Sequence, residues 1–343
     1  MELGSNFHHM GYEKEVDDNI FHYLDGYNAR YYDSGRSCIR ELMKIVGNEK
    51  IALPDYICNS VTEIFPDKQR LWYQINRDMT ANVEDIITCV KQGARIVYLM
   101  HYFGKLQSKR VLDAIKKLKE EYGIVVIEDS THSIFTSRMT VGDYCLCSLR
   151  KWFPIPDGAV LYSKCRFDLP ECVKQKDVSM VMGAMELKRQ FLFEGKDTNA
   201  EYRRLFTDAE NELDRQNDIY SISSDSRDIL RCISIGRMMK NRKNNAQFIQ
   251  KAVEKLSWIK PVLNNDSNSL QAGEENTEVF LAYPVYMDKR DEVRAFLMEH
   301  RIYCAIHWPE GKWEIQNSIL SLPVDQRYGE KEMEYLIEVL RKY

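Results

Sequence analysis

The strongest constraint on the fold of this chain is a regular alternation of apolar segments and amphipathic helical patterns between about residues 34 and 165. Positions 83, 86, 87 and 90 are all Val or Ile, and this spacing places them on one face of a helix. The segment 94–102 (ARIVYLMHY) is apolar on both faces, which is typical of a strand inside a parallel sheet. Strands that alternate with helices of about ten to fifteen residues predict an α/β fold with a mostly parallel sheet between helices.

The second half of the chain has a different pattern. Residues 195–218 are strongly charged and predict a helix, 227–256 predict one long helix, and 264–278 (NNDSNSLQAGEENTE) predict a polar loop. Short strand and helix patterns then continue to the C-terminus. This order of elements predicts a smaller α+β domain after the first one.

Composition argues against several classes of protein. Hydrophobic residues make up 44% of the 343 residues, which is enough for one large core or two smaller ones, and a net charge of -4 argues against nucleic-acid binding. No apolar stretch reaches the roughly 18 residues that a membrane-spanning helix needs, and the N-terminal MELGSNFHHM is too polar for a signal peptide. The nine cysteines include no CxxC pair, so we expect no disulfide framework and no metal site, but reduced thiols in the cytoplasm.

Polar residues that directly follow apolar strands are the first candidates for a site, because ligands of open α/β sheets bind beyond the carboxyl ends of the strands. Asp129 follows the strand pattern 124–127 (IVVI), and His132 comes three residues later. An acid and an imidazole at this place can hold a ligand. Both residue types are also common in turns, where they need no function.

A lysine follows the next predicted strand, 144–149. Lys151 leads into a proline-rich loop, and Trp152 and Phe153 come directly after it. Aromatic neighbours of this kind would partly desolvate the ammonium group and favour the free amine, which is the form that makes a Schiff base with a carbonyl. An ordinary solvated lysine is the alternative interpretation.

The third candidate is the start of the first predicted helix, Ser34-Gly35-Arg36-Ser37. Unpaired backbone N–H groups and the helix dipole favour an anion at such a start, and the serine hydroxyls and Arg36 would add donors. A simple N-cap without a ligand is the alternative.

Together the three places predict a pyridoxal phosphate site, which requires an anion-binding turn, an acid for the pyridine nitrogen and a lysine for the aldehyde. The order along the chain fits, with the turn first, then Asp129, then Lys151 about 22 residues later. A nicotinamide dehydrogenase is less well supported, because no G-x-G-x-x-G follows any predicted strand.

Three motifs carry a resemblance to a known family: 127–133 (IEDSTHS), 148–159 (SLRKWFPIPDGA) and 321–328 (SLPVDQRY). They resemble the DegT/DnrJ/StrS-type pyridoxal-phosphate-dependent sugar aminotransferases of the aspartate aminotransferase-like superfamily. The middle motif is similar to an S-L-R-K-W-x-P-I-P-D-G-G signature of a less characterised branch. The resemblance covers roughly residues 30 to 343.

This resemblance implies the fold of the pyridoxal-phosphate-dependent transferases, fold type I. It implies an N-terminal arm at 1–27, a large cofactor-binding domain at 28–215 with a mostly parallel sheet between helices, and a small C-terminal α+β domain at 216–343. It also implies a homodimer. No membrane or nucleic-acid partner is expected.

The resemblance also assigns roles around the cofactor ring. Lys151 would form the aldimine and carry a proton between the substrate and the cofactor, and Asp129 would pair with the pyridine nitrogen. His132 would donate a hydrogen bond to the phenolic oxygen. Either Tyr56 or Cys58 would lie over the ring face, and we favour Tyr56 because an aromatic side chain can stack.

Four further residues would bind the phosphate by the same resemblance. Gly35, Arg36 and Ser37 align with the family's S-G-T-x-A turn, and Ser148 matches its serine near the phosphate. Arg36 stands where the family has a small hydroxyl residue, so it would bind either phosphate or substrate.

The implied activity is transfer of an amino group to a keto-sugar of the nucleotide-sugar type, with glutamate as the amino donor. Retention of Lys151 favours transamination over the dehydratase variants of the family. Two alternatives stay open: another pyridoxal phosphate enzyme, such as a lyase, racemase or decarboxylase acting on an amino acid, or a degenerate, non-catalytic protein of the same fold. A desulfurase would need Cys304 as its nucleophile. The segment 306–309 (IHWP) is either a wall of the active site or part of the core.

Overall fold

The computed structural model describes residues 1–12, 14–167, 170–263, 278–308 and 317–343. The predicted polar loop at 264–278 lies outside these residues, except for Glu278. Each helix in the described part of the chain is too short or too polar to cross a bilayer. All nine cysteines are free thiols.

Strands and helices alternate through the first half of the chain, as the sequence pattern predicts. The strands are β1 (Leu3–Gly4), β2 (Asn28–Tyr32), β3 (Lys50–Pro54), β4 (Arg70–Tyr73), β5 (Ala94–Met100), β6 (Val125–Asp129), β7 (Tyr144–Ser148), β8 (Ala159–Ser163), β9 (Lys260–Pro261), β10 (Tyr283–Tyr286), β11 (Ile302–Tyr303) and β12 (Ile319–Leu322). The α-helices are α1 (Ile20–Tyr23), α2 (Gly35–Val46), α3 (Asn59–Thr62), α4 (Val83–Lys91), α5 (Lys109–Tyr122), α6 (Ser179–Phe193), α7 (Asn199–Arg215), α8 (Ser224–Arg231), α9 (Ile235–Val253), α10 (Arg290–Glu299) and α11 (Glu330–Lys342).

The chain forms two compact units, and each is built from separate stretches of sequence. The first unit consists of residue 1 and the ranges 6–47 and 144–237. The second unit consists of the ranges 2–5, 48–143 and 238–343.

A parallel sheet forms the centre of the second unit. Its strands lie in the order β6, β5, β3, β4, and every neighbouring pair is parallel. The helices α4 and α5 connect successive strands; side chains of Asn82 and Ser108 cap their N-termini, and Gly123 ends α5 in the left-handed conformation with φ of 63°. In the register of β5 with β6, Met100 lies opposite Asp129. This confirms the predicted α/β class with a mostly parallel sheet.

The first unit contributes three strands in the order β2, β8, β7, and both pairs are antiparallel. The strand that the sequence predicts at 144–149 corresponds to β7, whereas no sequence pattern predicts β2. Asn28 and Arg30 of β2 are exposed, and Tyr32 is its fully buried residue. An edge strand that buries so little lacks the apolar run by which a strand is recognised.

The prediction of one helix over 227–256 is wrong, because the chain breaks after α8 and starts again as α9. Ser234 lies in the break, and its side chain accepts a hydrogen bond from the backbone N–H of Arg237 at 3.2 Å. The Ser234 hydroxyl also donates to Asp18 at 2.6 Å, and the Ile235 N–H donates to the Asp18 carbonyl at 2.9 Å. Contacts with a distant residue therefore fix a boundary that helical periodicity does not reveal.

The C-terminal part of the second unit contains an antiparallel sheet in the order β12, β10, β9, and two helices, α10 and α11. Helix α11 buries Met333, Leu336, Ile337 and Leu340, as its spacing predicts. These side chains belong to one continuous apolar core of the second unit.

Gly104 follows β5 in a backbone conformation that disfavours larger residues, with φ of 111°. A Cβ at this position would lie 2.4 Å from the carbonyl oxygen of Val279. We expect Gly104→Ala to destabilise the protein by about 2 to 4 kcal/mol, because backbone strain and a backbone clash add together. Thermal and urea unfolding followed by circular dichroism would measure this change.

Gly123→Ala is the matched control, because Gly123 also has a positive φ but nothing lies within 4 Å of its Cβ position. We expect this variant to lose only about 1 kcal/mol. Equal losses in the two variants would contradict the assigned clash with Val279.

Candidate active site

Asp129 is the last residue of β6 and lies at the carboxyl edge of the parallel sheet. It is 5% exposed. Its Oδ2 accepts a hydrogen bond from the Tyr98 hydroxyl at 2.7 Å, and its Oδ1 accepts one from the backbone N–H of Thr131 at 2.8 Å. Each carboxylate oxygen has two lone-pair positions, so each oxygen can accept one more hydrogen bond.

The Asp129 carboxylate has no cationic partner among the described residues, where its side-chain hydrogen bonds come from Tyr98 and Thr131. Burying an ionised carboxylate is costly unless a cation or further donors compensate. The carboxylate is therefore suited to a positively charged ligand atom, and a protonated pyridine nitrogen is such an atom.

His132 lies fully buried three residues after Asp129. Its Nδ1 accepts a hydrogen bond from the backbone N–H of Phe103 at 3.3 Å. This pattern assigns the proton of the neutral ring to Nε2, which is then the nitrogen that can donate to a ligand. The indole of Trp308 stacks on the imidazole with a centroid distance of 5.4 Å and an angle of 12°.

Tyr56 follows β3 at the same edge of the sheet and is fully buried. Its ring stacks with Tyr102 at 5.6 Å and meets Trp308 edge to face at 4.7 Å. Cys58, the other residue considered for the ring face, is partly exposed. Trp308 therefore contacts both Tyr56 and His132; Pro309 of the same predicted segment lies outside the described residues.

Glu128 and His101 form a buried pair that no motif of the sequence identifies. The Glu128 carboxylate accepts hydrogen bonds from the backbone N–H groups of Thr140, Val141 and Gly142 at 2.8 to 3.0 Å, and from His101 Nε2 at 3.2 Å. Burial opposes ionisation of Glu128, but these hydrogen bonds outweigh it and lower its pKa. The adjacent acids Glu128 and Asp129 were the feature of the sequence that could have pointed to this pair. In the structure Glu128 binds the 140–142 turn, whereas Asp129 binds Tyr98 and Thr131.

Lys151 lies in the first unit, in a short 3₁₀ turn (Leu149–Lys151) that follows β7. The lysine is exposed, whereas Trp152 and Phe153 are both fully buried. The expectation that these aromatic residues desolvate the ammonium group is therefore wrong. Both rings turn into the core of the unit and leave the lysine at the surface.

The segment around Lys151 is held from both ends. The backbone N–H groups of Leu149 and Arg150 both donate to the Gly158 carbonyl, at 3.0 and 3.3 Å. The Arg150 guanidinium pairs with Glu210 at 2.8 Å. Hydrogen bonds to Gly158 therefore fix the turn that carries Lys151 to its own loop, and the ion pair with Glu210 fixes it to α7.

Asp157 supplies a second anchor for this loop. Its carboxylate accepts hydrogen bonds from the Ser223 hydroxyl at 2.6 Å, from the Ser223 N–H at 3.0 Å and from the Ser226 hydroxyl. Burial raises the pKa of Asp157, although the serine hydrogen bonds act in the opposite direction. The anchor connects the loop to the N-terminus of α8.

The predicted phosphate turn forms the start of α2 in the first unit. Ser34 is the N-cap and accepts from the Ser37 N–H at 3.2 Å. Within the described residues, the N–H groups of Gly35 and Arg36 have no acceptor, as expected for the first turn of a helix. The Ser37 hydroxyl donates to the buried Asp33 carboxylate at 2.6 Å.

The two remaining residues of the predicted phosphate site lie beside this turn. The Arg36 guanidinium donates to Asp214 at 2.9 Å. Ser148 is half-buried, and its Cβ lies 3.9 Å from the Cβ position of Gly35. Gly35, Arg36, Ser37, Ser148 and Lys151 therefore share the first unit, whereas Tyr56, Asp129 and His132 share the second.

Asp55 follows β3 directly and accepts a hydrogen bond from the Ile75 N–H at 2.9 Å. Burial raises its pKa from 3.8 to about 6. The native state thus binds this proton more tightly than the unfolded state, so the stability of the fold should fall as the pH rises from about 4 to above 6. Asp55→Asn keeps the acceptor and removes the charge.

We expect Asp55→Asn to stabilise the protein by about 1 kcal/mol near pH 8 and to have little effect near pH 4. The expected gain is smaller than the full pKa shift implies, because solvent partly screens this side chain. Urea unfolding of both proteins across this range would measure the difference. Parallel stability profiles of the two proteins would contradict the assigned burial effect.

The comparisons with known proteins found similarity among solved structures. No protein-family model matches the sequence, and no curated protein matches it. An aminotransferase described as DegT DnrJ EryC1 StrS, from Brucella abortus, is 18% identical and has a TM-score of 0.58 over 92% of this chain and 85% of its own. NtdA from Bacillus subtilis, solved with bound cofactor PMP, is 13% identical with a TM-score of 0.60 over 92% and 72% of the two chains.

DesI, solved in the presence of its TDP-sugar product, is 13% identical with a TM-score of 0.63 over 92% of this chain and 80% of its own. The TM-scores of 0.58 to 0.63 establish a shared fold, and at identities of 13 to 18% the comparison shows the fold alone. The protein therefore has the α/β fold of the pyridoxal-phosphate-dependent aminotransferases, fold type I, which is the fold of the family that its motifs resemble.

Proposed function

We propose that this protein is a pyridoxal phosphate aminotransferase. It would take an amino group from glutamate and transfer it to a keto-sugar, in the form of a nucleotide sugar or a similar compound. The fold supports this proposal, and so do the residues of the two units that match the family motifs.

The buried carboxylate of Asp129 is the observation that carries the proposal. It lies at the carboxyl edge of a parallel sheet, where ligands of α/β proteins bind, and no described side chain supplies a positive charge to it. A protonated pyridine nitrogen would compensate this charge and donate a hydrogen bond to a lone pair that remains on the carboxylate. The residues present therefore fit the cofactor.

When bound, pyridoxal phosphate would supply an electron sink for negative charge that develops on the substrate carbon. Asp129 would hold the proton on the pyridine nitrogen, which keeps that sink effective. The exposed Lys151 amine would bind the cofactor carbonyl covalently and carry a proton to and from the substrate carbon.

His132 and Tyr56 would complete the ring contacts. The Nε2 proton of His132 would donate to the phenolic oxygen, because Nδ1 already accepts from the Phe103 N–H. Tyr56 would contact the ring face; it is buried against Trp308, so this contact requires a shift of the Trp308 side chain.

The start of α2 would bind the phosphate. We propose the N–H groups of Gly35 and Arg36 as its principal donors, with the Ser37 and Ser148 hydroxyls as further donors. The Ser37 hydroxyl would have to turn away from Asp33 for this contact. The Arg36 guanidinium, held by Asp214, would reduce the repulsion between the phosphate and the neighbouring carboxylates.

A sugar substrate is supported by the similarity to DesI, whose structure was solved with a TDP-sugar product. His307 and Trp308 would form a wall of the substrate site, because both contact His132 through their rings. Aromatic faces of this kind suit the apolar face of a sugar or the base of a nucleotide.

The domain division, the assembly and the cellular location are part of the same proposal. The resemblance implies an arm at 1–27, a large domain at 28–215 and a small domain at 216–343, and the antiparallel sheet with α10 and α11 supports the α+β character of the last part. A homodimer is proposed on the resemblance to the family. Nine free cysteines support a reducing compartment, the cytoplasm.

We expect the purified protein to bind added pyridoxal phosphate and to give a visible absorption band that borohydride removes. Peptide mass spectrometry should then locate a stable adduct on Lys151. Lys151→Ala should abolish the adduct, because the proposed covalent bond is to its amine, whereas Lys164→Ala, at another exposed lysine, should leave it unchanged. An adduct on a different lysine, or no binding at excess cofactor, would refute the proposal.

We expect glutamate to convert the loaded protein to the amine form of the cofactor, which shifts the absorption band, with release of 2-oxoglutarate. Asp129→Ala should slow this half-reaction by at least about 100-fold, because the pyridine nitrogen loses the group that keeps it protonated. Stopped-flow absorbance would measure both rates. Release of CO2 from an amino acid without this conversion would instead favour the decarboxylase alternative.

A further inference from the structure

The contact between Tyr98 and Asp129 suggests a residue beyond those that the motifs identify. Tyr98 lies in β5 and is fully buried, and its hydroxyl donates to Asp129 Oδ2 at 2.7 Å. We propose that Tyr98 is a positioning residue that sets the protonation of the cofactor's pyridine nitrogen by acting through Asp129. This inference rests on the proposed function, since it concerns the same carboxylate.

The geometry makes Tyr98 a fixed donor. The Tyr73 hydroxyl donates to the Tyr98 backbone carbonyl at 2.7 Å, in addition to the pairing of β5 with β6 on one side and with β3 on the other. Burial and then the neighbouring Asp129 carboxylate raise the pKa of Tyr98 well above its usual range, with smaller effects from Cys58 and Tyr73. The phenol therefore keeps its proton and serves as a donor throughout the working range of an enzyme.

The second carboxylate oxygen has a fixed donor as well. Thr131 N–H holds Oδ1 while Tyr98 holds Oδ2, so the plane of the carboxylate cannot rotate without breaking one of two hydrogen bonds. Each oxygen of the Asp129 carboxylate thus has one fixed donor, and a hydrogen bond to a charged group is stronger than one between neutral groups. A carboxylate held in a fixed plane by two donors favours the ion pair with a protonated pyridine over the neutral pair.

A purely structural role is the competing explanation, in which the hydroxyl only satisfies a buried acceptor. The two explanations differ in what the hydroxyl changes. A structural hydrogen bond affects the stability of the fold, whereas a positioning role also affects the proton on a ligand atom that Tyr98 does not touch. A phenylalanine would fill the same space in β5, so the hydroxyl can be tested apart from the ring.

The test uses pyridoxal phosphate labelled with 15N in the pyridine ring, bound to the intact protein, since the 15N chemical shift reports directly whether that nitrogen is protonated. We expect Tyr98→Phe to reduce the equilibrium constant for protonation by roughly 10-fold or more, the range expected for a lost hydrogen bond to a charged group. Tyr335→Phe is the matched control, because it removes a hydroxyl of α11 that donates to a backbone carbonyl, that of His300, at 2.9 Å. We expect the control to leave the 15N shift unchanged.

A second variant covers the case in which Tyr98→Phe fails to fold. Replacement of Tyr98 by 3,5-difluorotyrosine keeps the shape and makes the phenol a stronger donor, so we expect the protonated fraction to increase. An unchanged 15N shift in both Tyr98 variants, with the cofactor still bound to Lys151, would overturn the inference and leave the proposed function intact. Absence of the Lys151 adduct in the unmodified protein would overturn the proposed function itself.

Discussion

The parallel pairing of β5 with β6 is the constraint on which the candidate site depends. Its register sets Met100 opposite Asp129, so the end of β6 lies at the same edge as the end of β5. The carboxyl ends of parallel strands all lie at one edge of the sheet. The chain leaves the sheet there, and its backbone polar groups then have no partner in a neighbouring strand. Asp129 ends β6, His132 follows β6 and Tyr56 follows β3, which is why the three residues lie at one edge of this sheet in the second unit.

The two adjacent acids at the end of β6, Glu128 and Asp129, are both buried but differ in their hydrogen-bond partners. Glu128 receives three backbone N–H groups, the Thr140 hydroxyl and His101, so both of its oxygens are hydrogen-bonded within the protein. Asp129 receives only the Tyr98 hydroxyl and the Thr131 N–H among the described residues. Because strand side chains alternate between faces, neighbouring acids reach different surroundings. Glu128 fixes the 140–142 turn, and Asp129 keeps capacity for a ligand.

The lysine of the first unit depends on a different arrangement. Trp152 and Phe153 anchor the loop by burial, while Arg150 and Asp157 anchor it by hydrogen bonds and charge. A long flexible side chain on a rigid turn can reach a ligand without itself being desolvated. The adjacent aromatic residues therefore act on the position of the backbone and not on the solvation of the amine.

The sequence alone determined the α/β class and most strands of the parallel sheet, because these follow from local periodicity, and its motifs singled out Asp129 and Lys151 as candidate site residues. Tertiary structure alone decided the rest. The contact with Asp18 fixes the break between α8 and α9, and the pairing with β8 identifies β2 as a strand. Tyr98 fits the apolar strand pattern of β5, and only the structure shows that its hydroxyl lies beside Asp129. Each of these depends on a contact between residues distant in sequence, and periodicity carries no information about such contacts.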